Sequence, residues 1–319
     1  MQDERVRAPR KIARLAAAAA LLASCVFSGP RAETGGKESA SAMALGERAF
    51  AHLEAQCAFG PRVPGSPGHA RALEYLRRTL AGAGARVELQ SFTHTAPGLP
   101  APVELTNVIA RFGPQRAGGL LLAAHWDTRP WADLDPDPAR RDEPILGAND
   151  GASGTGLLLA LAERLREDPP RMPVILVFFD GEDLGRADHP EEYLAGSRYF
   201  ANHFSGPAPE MGLVLDMVGS RSMTLTLEQA SRDLFPDKAR LIDELAGAME
   251  AGAYNPNWGP LLADDHIPLI SSGLPVLCLV DFRDPAWHTH ADRPENCSAA
   301  SLGETARVVL GLVGGDYFR

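Results

Sequence analysis

The stretch Leu120-Leu121-Leu122-Ala123-Ala124-His125-Trp126-Asp127 decides the fold. An unbroken apolar run of this length predicts a strand buried on both faces, as in a parallel sheet covered by helices. It ends abruptly on an imidazole and a carboxylate. The same pattern returns at Val174 to Phe179, which runs into Asp180-Gly181-Glu182-Asp183. Outward from these two strands, Val87–Phe92, Leu105–Phe112, Leu213–Val218, Met223–Leu227 and Val276–Val280 read as further strands. Helical spacing covers about 43–56, 67–80, 157–165, 237–251 and 298–313. In the second of these, Ala70, Leu73, Leu76 and Leu80 form one face, and Arg71, Arg77 and Arg78 the other. Strands alternating with helices predict a single α/β domain over residues 43–319, a mixed central β-sheet flanked by helices on both faces.

The chain has 319 residues, 45% of them hydrophobic and 23% charged, which excludes wholesale disorder. A formal charge of −10 offers no basic stripe for phosphates, so a nucleic-acid partner is not expected. Arg5, Arg7, Arg10, Lys11 and Arg14 precede the apolar stretch Leu15–Ala23, the pattern of an export signal over residues 1–24. The stretch is too short to span a bilayer. It closes on Leu22-Ala23-Ser24-Cys25, which resembles a bacterial lipoprotein processing site with Cys25 as the lipidated residue. A plain secretory signal cut near Ser28 or Ala32 is the alternative. Either way the protein is expected outside the cytoplasm of a bacterium, periplasmic or membrane-anchored, touching the membrane through an N-terminal lipid alone. Residues 25–42, poor in apolar side chains from residue 31 on, are expected to form a flexible tether. Cys57, Cys278 and Cys297 show no C-x-x-C spacing, and Cys278 lies in an apolar run, so it reads as a small buried hydrophobe.

Ligands of such sheets bind beyond the carboxyl ends of the strands, and the chemistry-bearing residues fall there. They are His125 and Asp127, Gly147-Ala148-Asn149-Asp150-Gly151, Asp180 to Asp183, Asp216, and Trp287-His288-Thr289. Imidazoles and carboxylates are the inventory that binds zinc. Carboxylates crowded into Asp180–Asp183 would repel one another unless a cation neutralised them. Any one of these acids alone would be solvated surface; the clustering at strand exits makes a metal site the expectation.

This set resembles the zinc aminopeptidase family M28. The segment Asp264-Asp265-His266-Ile267-Pro268, with Trp287-His288-Thr289 downstream, resembles the animal-type glutaminyl cyclases that share the fold. The resemblance implies a glutaminyl-peptide cyclotransferase acting on peptide or protein N-termini, with a zinc aminopeptidase as the alternative. It implies one zinc ion held by Asp150, Asp183 and His288, and a possible second ion held by His125 and Asp216 with Asp150 bridging. It makes Glu182 the general acid/base and Asp216 and Asp264 further catalytic residues. Trp287 becomes an apolar wall for substrate, Asp127 the carboxylate that orients His125, and His266 a supporting residue.

Three positions depart from the family pattern. Asp183 stands where a Glu is usual, a side chain shorter by on the order of 1.5 Å. Cys278 stands where the animal cyclases carry a histidine, and Asp188 where they carry a pocket tryptophan. Trp126 and Trp131 could replace that aromatic surface or simply pack the loop. His52, His69, His94, His189, His203 and His290 lack ligand spacing and are expected on the surface or in loops. Thr128–Gly147 is a long connection that either covers the site or merely varies.

Overall fold

The structure, a computed structural model, describes residues 31–95, 101–186, 189–315 and 317. The chain runs α1 (Arg31–Cys57), α2 (Pro67–Gly82), β1 (Arg86–His94), β2 (Val103–Phe112), β3 (Leu120–His125), α3 (Ala152–Glu167) and β4 (Val174–Phe179). It continues α4 (Ala195–His203), β5 (Met211–Asp216), β6 (Thr226–Leu227), α5 (Gln229–Leu234), α6 (Pro236–Ala248), α7 (His266–Ser271), β7 (Val276–Val280) and α8 (Ala299–Gly314). One seven-stranded sheet has the order β1-β2-β4-β3-β5-β7-β6. The four inner strands β4, β3, β5 and β7 are parallel, and β1, β2 and β6 pair antiparallel outside them. This is the expected mixed sheet.

Alternate residues of the inner strands serve two cores, because successive side chains leave a strand on opposite faces. Leu120, Leu122, Leu176, Phe178, Leu213 and Leu277 pack against α1, α2, α3, α6 and α8. Leu121, Ala123, Val177, Val214, Cys278 and Val280 pack against α4 and α7 through Phe200 and Leu269. With both faces covered, β3 and β4 must be apolar at every position, and every residue of each is buried.

Some boundaries depart from expectation. Residues 31–42 do not form the expected tether: α1 begins at Arg31. Ala42, Leu45, Ala49 and Leu53 bury one stripe of that helix, and Arg307 of α8 donates to Ser39 at 2.9 Å. Once tertiary packing has paid for nucleation, each added helical residue is nearly free. The strand expected to reach Val218 stops at Asp216, since Met217 takes a left-handed φ of 48° that a strand cannot propagate. β6 is reduced to Thr226–Leu227, its residues paired with Val280 and Leu279. The export signal and Cys25 lie outside the described residues. No helix among the described residues is long and apolar enough to cross a membrane.

Candidate metal centre and active site

The parallel strands β4, β3 and β5 are neighbours, so their carboxyl ends bring His125, the Asp180–Asp183 turn and Asp216 to one edge. Asp150 joins them from the turn that opens α3. There Gly151 has a φ of 94°, and a Cβ would stand 2.7 Å from Asp127 O and 3.0 Å from His125 Cε1. Only glycine lets the backbone pass so near the imidazole. His288 arrives from the loop after β7, itself in a left-handed conformation with φ 55°.

Two ligand clusters result, and they share one residue. His125, Asp150 and Asp216 form the first; Asp150, Asp183 and His288 form the second. Asp150 divides its oxygens: Oδ1 is 2.9 Å from His125 Nε2, and Oδ2 is 3.8 Å from His288 Nε2. His125 Nε2 is also 3.3 Å from Asp216 Oδ1, and His288 Nε2 is 3.6 Å from Asp183 Oδ1. Yet His125 Nε2, Asp183 Oδ2 and Asp216 Oδ1 are buried without a hydrogen-bond partner. Buried polar atoms are almost always satisfied, and unsatisfied nitrogen and oxygen donors converging in this way fit a divalent cation of the zinc type.

The electrostatics agree. Burial and the adjacent Asp183 push the Glu182 carboxyl well above its usual range. Burial and Asp264 raise Asp216 to about 7, and burial raises Asp183 to about 6 against the pull of Arg129. Burial opposes charge on His125, but Asp127, Asp150 and Asp216 lift its pKa well above the usual value. Shifts in these directions link cation binding to proton release.

The expected crowding of Asp180–Asp183 is only partly realised. Asp180 turns away: its oxygens lie 2.9 and 3.0 Å from His69 Nε2, and Oδ2 accepts from Thr106 N–H at 2.6 Å. His69 is therefore a buried residue, stacked on Trp126 at 4.3 Å, and not the surface residue its spacing suggested. His52 is also held inside, by Tyr75, whereas His290 lies in a loop as expected and meets Asp135 at 2.8 Å. Trp126 is fully buried and Trp131 lies under Arg186 at 3.8 Å, so both pack the loop and neither lines the site. Asp188 lies outside the described residues.

Asp127 does approach His125, with Oδ1 3.5 Å from Nδ1. It also accepts from the N–H groups of Glu182 and Asp183 at 3.1 and 3.2 Å, which fixes the turn that carries both. Trp287 packs on His288 with ring centroids 4.0 Å apart. Asp264 and His266 are buried at the start of α7, His266 giving its Nε2 to Glu228 at 3.1 Å.

Sequence reasoning missed four supporting residues. Arg129, wholly buried, donates to Asp183 Oδ1 at 2.6 Å and to both oxygens of Asp133. Asp133 in turn lies 3.4 Å from His288 Nδ1. Asp292 accepts from the N–H groups of Asn149 and Asp150 at 2.6 and 3.1 Å. Arg62 binds the carbonyls of Trp126, Leu146 and Gly147, pinning both ends of the 128–147 connection. The one available signal was Arg129 itself, a lone cation two residues after Asp127 in an otherwise acidic set.

The fold and the ligand set define an enzyme of the zinc exopeptidase and glutaminyl cyclase architecture. Residues 107–313 match Peptidase family M28, and the chain belongs to that family. A bovine glutaminyl-peptide cyclotransferase-like protein is 30% identical over 278 residues, covering 78% of this chain and 70% of its own. The crystal structure of Tannerella forsythia glutaminyl cyclase aligns with a TM-score of 0.81 at 32% identity, covering 85% of this chain and 98% of that one. A Zn-dependent exopeptidase from Parabacteroides distasonis aligns equally well, with a TM-score of 0.81, 32% identity, and coverage of 84% and 97%.

Proposed function

We propose that this chain is a zinc-dependent glutaminyl-peptide cyclotransferase, converting N-terminal glutamine to pyroglutamate with release of ammonia. The observation that carries this reading is Glu182 at the edge of the ligand clusters, its carboxyl without a partner among the described residues, with Asp183, Asp264 and Asp265 close enough to shift its titration. In a family that includes glutaminyl cyclases, that acidic face suits a substrate's free α-amine.

Asp150, Asp183 and His288 would hold zinc, with His125 and Asp216 available to a second ion. Zinc, when bound, supplies a Lewis acid that polarises the glutamine side-chain carbonyl. Asp216, where no second ion engages it, accepts a charge-assisted hydrogen bond from the α-amine. Glu182 takes a proton from that amine as its nitrogen bonds to the side-chain carbonyl carbon. It then returns the proton to the side-chain amide nitrogen, which leaves as ammonia. Closing a five-membered ring within one residue benefits from intramolecular effective molarity. Asp264 would tune this acid/base group through its charge beside Glu182 and Asp216, and Trp287 would supply the apolar wall.

A zinc aminopeptidase is the second reading, favoured by the intact His125–Asp150–Asp216 cluster. Glu182 would then take its proton from the attacking water. Incubating the purified protein with a glutaminyl and a leucyl peptide distinguishes the two by mass spectrometry. Loss of one ammonia from the first is the expected result; release of the terminal residue from either peptide would instead establish the peptidase.

We also propose export through residues 1–24 and lipidation at Cys25, supported by the basic–apolar–Leu-Ala-Ser-Cys succession. Cys25→Ser should abolish lipidation and membrane fractionation. A wild-type mature N-terminus beyond Cys25 would sink the proposal.

A further inference from the structure

Behind Asp216, on the face of the sheet covered by α4 and α7, lies a third cluster that the reaction above does not use as a unit. A ring nitrogen of His266, a carboxylate oxygen of Asp264 and the Cys278 sulfur all lie within 4.8 Å of one another. All three residues are at least nine-tenths buried, His266 and Cys278 completely. Cys278 is placed there by the alternation of β7, whose neighbours Leu277 and Leu279 face the other core. Its thiol donates to Asp264 Oδ2 at 3.1 Å.

His266 is oriented as metal-bound histidines are. Its Nε2 is held by Glu228 Oε2 at 3.1 Å, and Glu228 is itself fixed by the N–H groups of Ala230 and Ser231 at 2.8 Å each. A carboxylate on one ring nitrogen leaves the other as a basic, correctly presented donor. That other nitrogen, Nδ1, is buried and has no hydrogen-bond partner. Among the described residues no Lys or Arg forms an ion pair with Asp264, Asp265, Glu182 or Asp216; the cationic partner of Asp216 is the His125 ring.

We propose that Asp264, His266 and Cys278 form a separate cation site, selective for soft divalent ions such as cadmium and zinc. Thiolate, imidazole and carboxylate are the donor set that prefers such ions over magnesium or calcium. Bonds of about 2.0–2.3 Å put tetrahedral ligands roughly 3.3–3.7 Å apart, a spacing that donors already within 4.8 Å of one another can reach. On binding, the Cys278 S–H bond breaks and its proton passes to solvent. The thiolate and the Asp264 carboxylate then neutralise the dication, and His266 binds uncharged. The site differs from the two clusters at the strand ends in containing sulfur; it shares Asp264 with the proposed reaction, but its test reads cadmium binding and not turnover.

The test is a cadmium titration of the full chain with zinc already bound, followed by thiolate-to-metal ultraviolet absorption and bound metal per chain. Wild type should gain one thiolate-ligated cadmium relative to Cys278→Ser. His266→Gln keeps a donor toward Glu228 but removes the Nδ1 ligand, and should weaken cadmium binding at least roughly tenfold, as metal sites respond to lost support. Thermal unfolding of each variant verifies folding. Cadmium exchanging into the strand-end clusters is silent in the thiolate absorption, since they contain no sulfur, and cancels in the difference of bound metal between wild type and Cys278→Ser. Equal absorption and stoichiometry in wild type and Cys278→Ser would overturn the proposal, as would full affinity in a folded His266→Gln. Should Cys278→Ser not fold, the His266→Gln comparison decides alone.

Discussion

Glu182 and Asp183 are adjacent in the chain and have opposite surroundings. Asp183 Oδ1 binds Arg129 and lies 3.6 Å from His288 Nε2 while its Oδ2 is buried without a hydrogen-bond partner, whereas among the described residues Glu182 makes no ion pair. Glu182→Gln keeps shape and cannot exchange a proton, so turnover should fall about 10²–10⁴-fold with zinc content unchanged. Asp183→Asn should instead lower zinc affinity, with partial rescue by added metal. Steady-state rates and metal per chain read both, and a zinc-free Glu182→Gln would mean the two roles are reversed. The short Asp183 arm, anomalous in sequence, has its complement in Arg129. Arg129→Met would strand the buried Asp183 beside Asp133 and should cost about 3–5 kcal/mol in a denaturant titration, the usual penalty for removing one partner of a buried pair. Arg129→Lys restores charge without the planar fork and should recover only part of this. A loss below 1 kcal/mol, as in exposed pairs, would refute the orienting role.

At the scale of elements, the long apolar ones were legible and the short ones were not. β3 and β4 announce themselves because both faces are covered. α4, α5 and α7 run only 9, 6 and 6 residues, too short for a helical period to emerge from mixed sequence. They owe their existence to contacts, and Glu228 illustrates how. Burial alone would raise its carboxyl, yet His266 and the N–H groups of Ala230 and Ser231 hold it down from 4.5 to about 2. A folded-state pKa below the unfolded one stabilises above the unfolded value and is lost as pH falls through the folded one. The contribution of Glu228 should therefore be intact above pH 4.5 and disappear toward pH 2. Thermal melts across that window should lose part of their acid dependence in Glu228→Gln. An unchanged slope would show that this junction carries no stability.

The whole molecule assembles its ligands from five separate segments, so cation binding should report on global stability. A ligand specific to the folded state stabilises by roughly 2.7 kcal/mol at 100 times its Kd. Zinc should raise the unfolding temperature of metal-free protein, a chelator should reverse the rise, and Asp150→Asn should remove most of it because both strand-end clusters share that residue. A melting temperature indifferent to zinc, with no metal in purified active protein, would sink the metal reading.

Residue order alone determined the buried strands, their polar exits and the identity of the clustered ligands, because strand burial and motif chemistry are written in neighbouring residues. Which carboxylates face the cations was decided by the sheet. Asp180 belongs to His69, 111 positions away, and Asp183 to Arg129, 54 away. The backbone of Asn149 is held by Asp292 across 143 positions. Such separations carry no periodicity that a reader of the chain could find. They become contacts only when β4, β3 and β5 lie side by side and end together, since hydrogen bonds and ion pairs act over a few ångströms of space and are blind to distance along the chain.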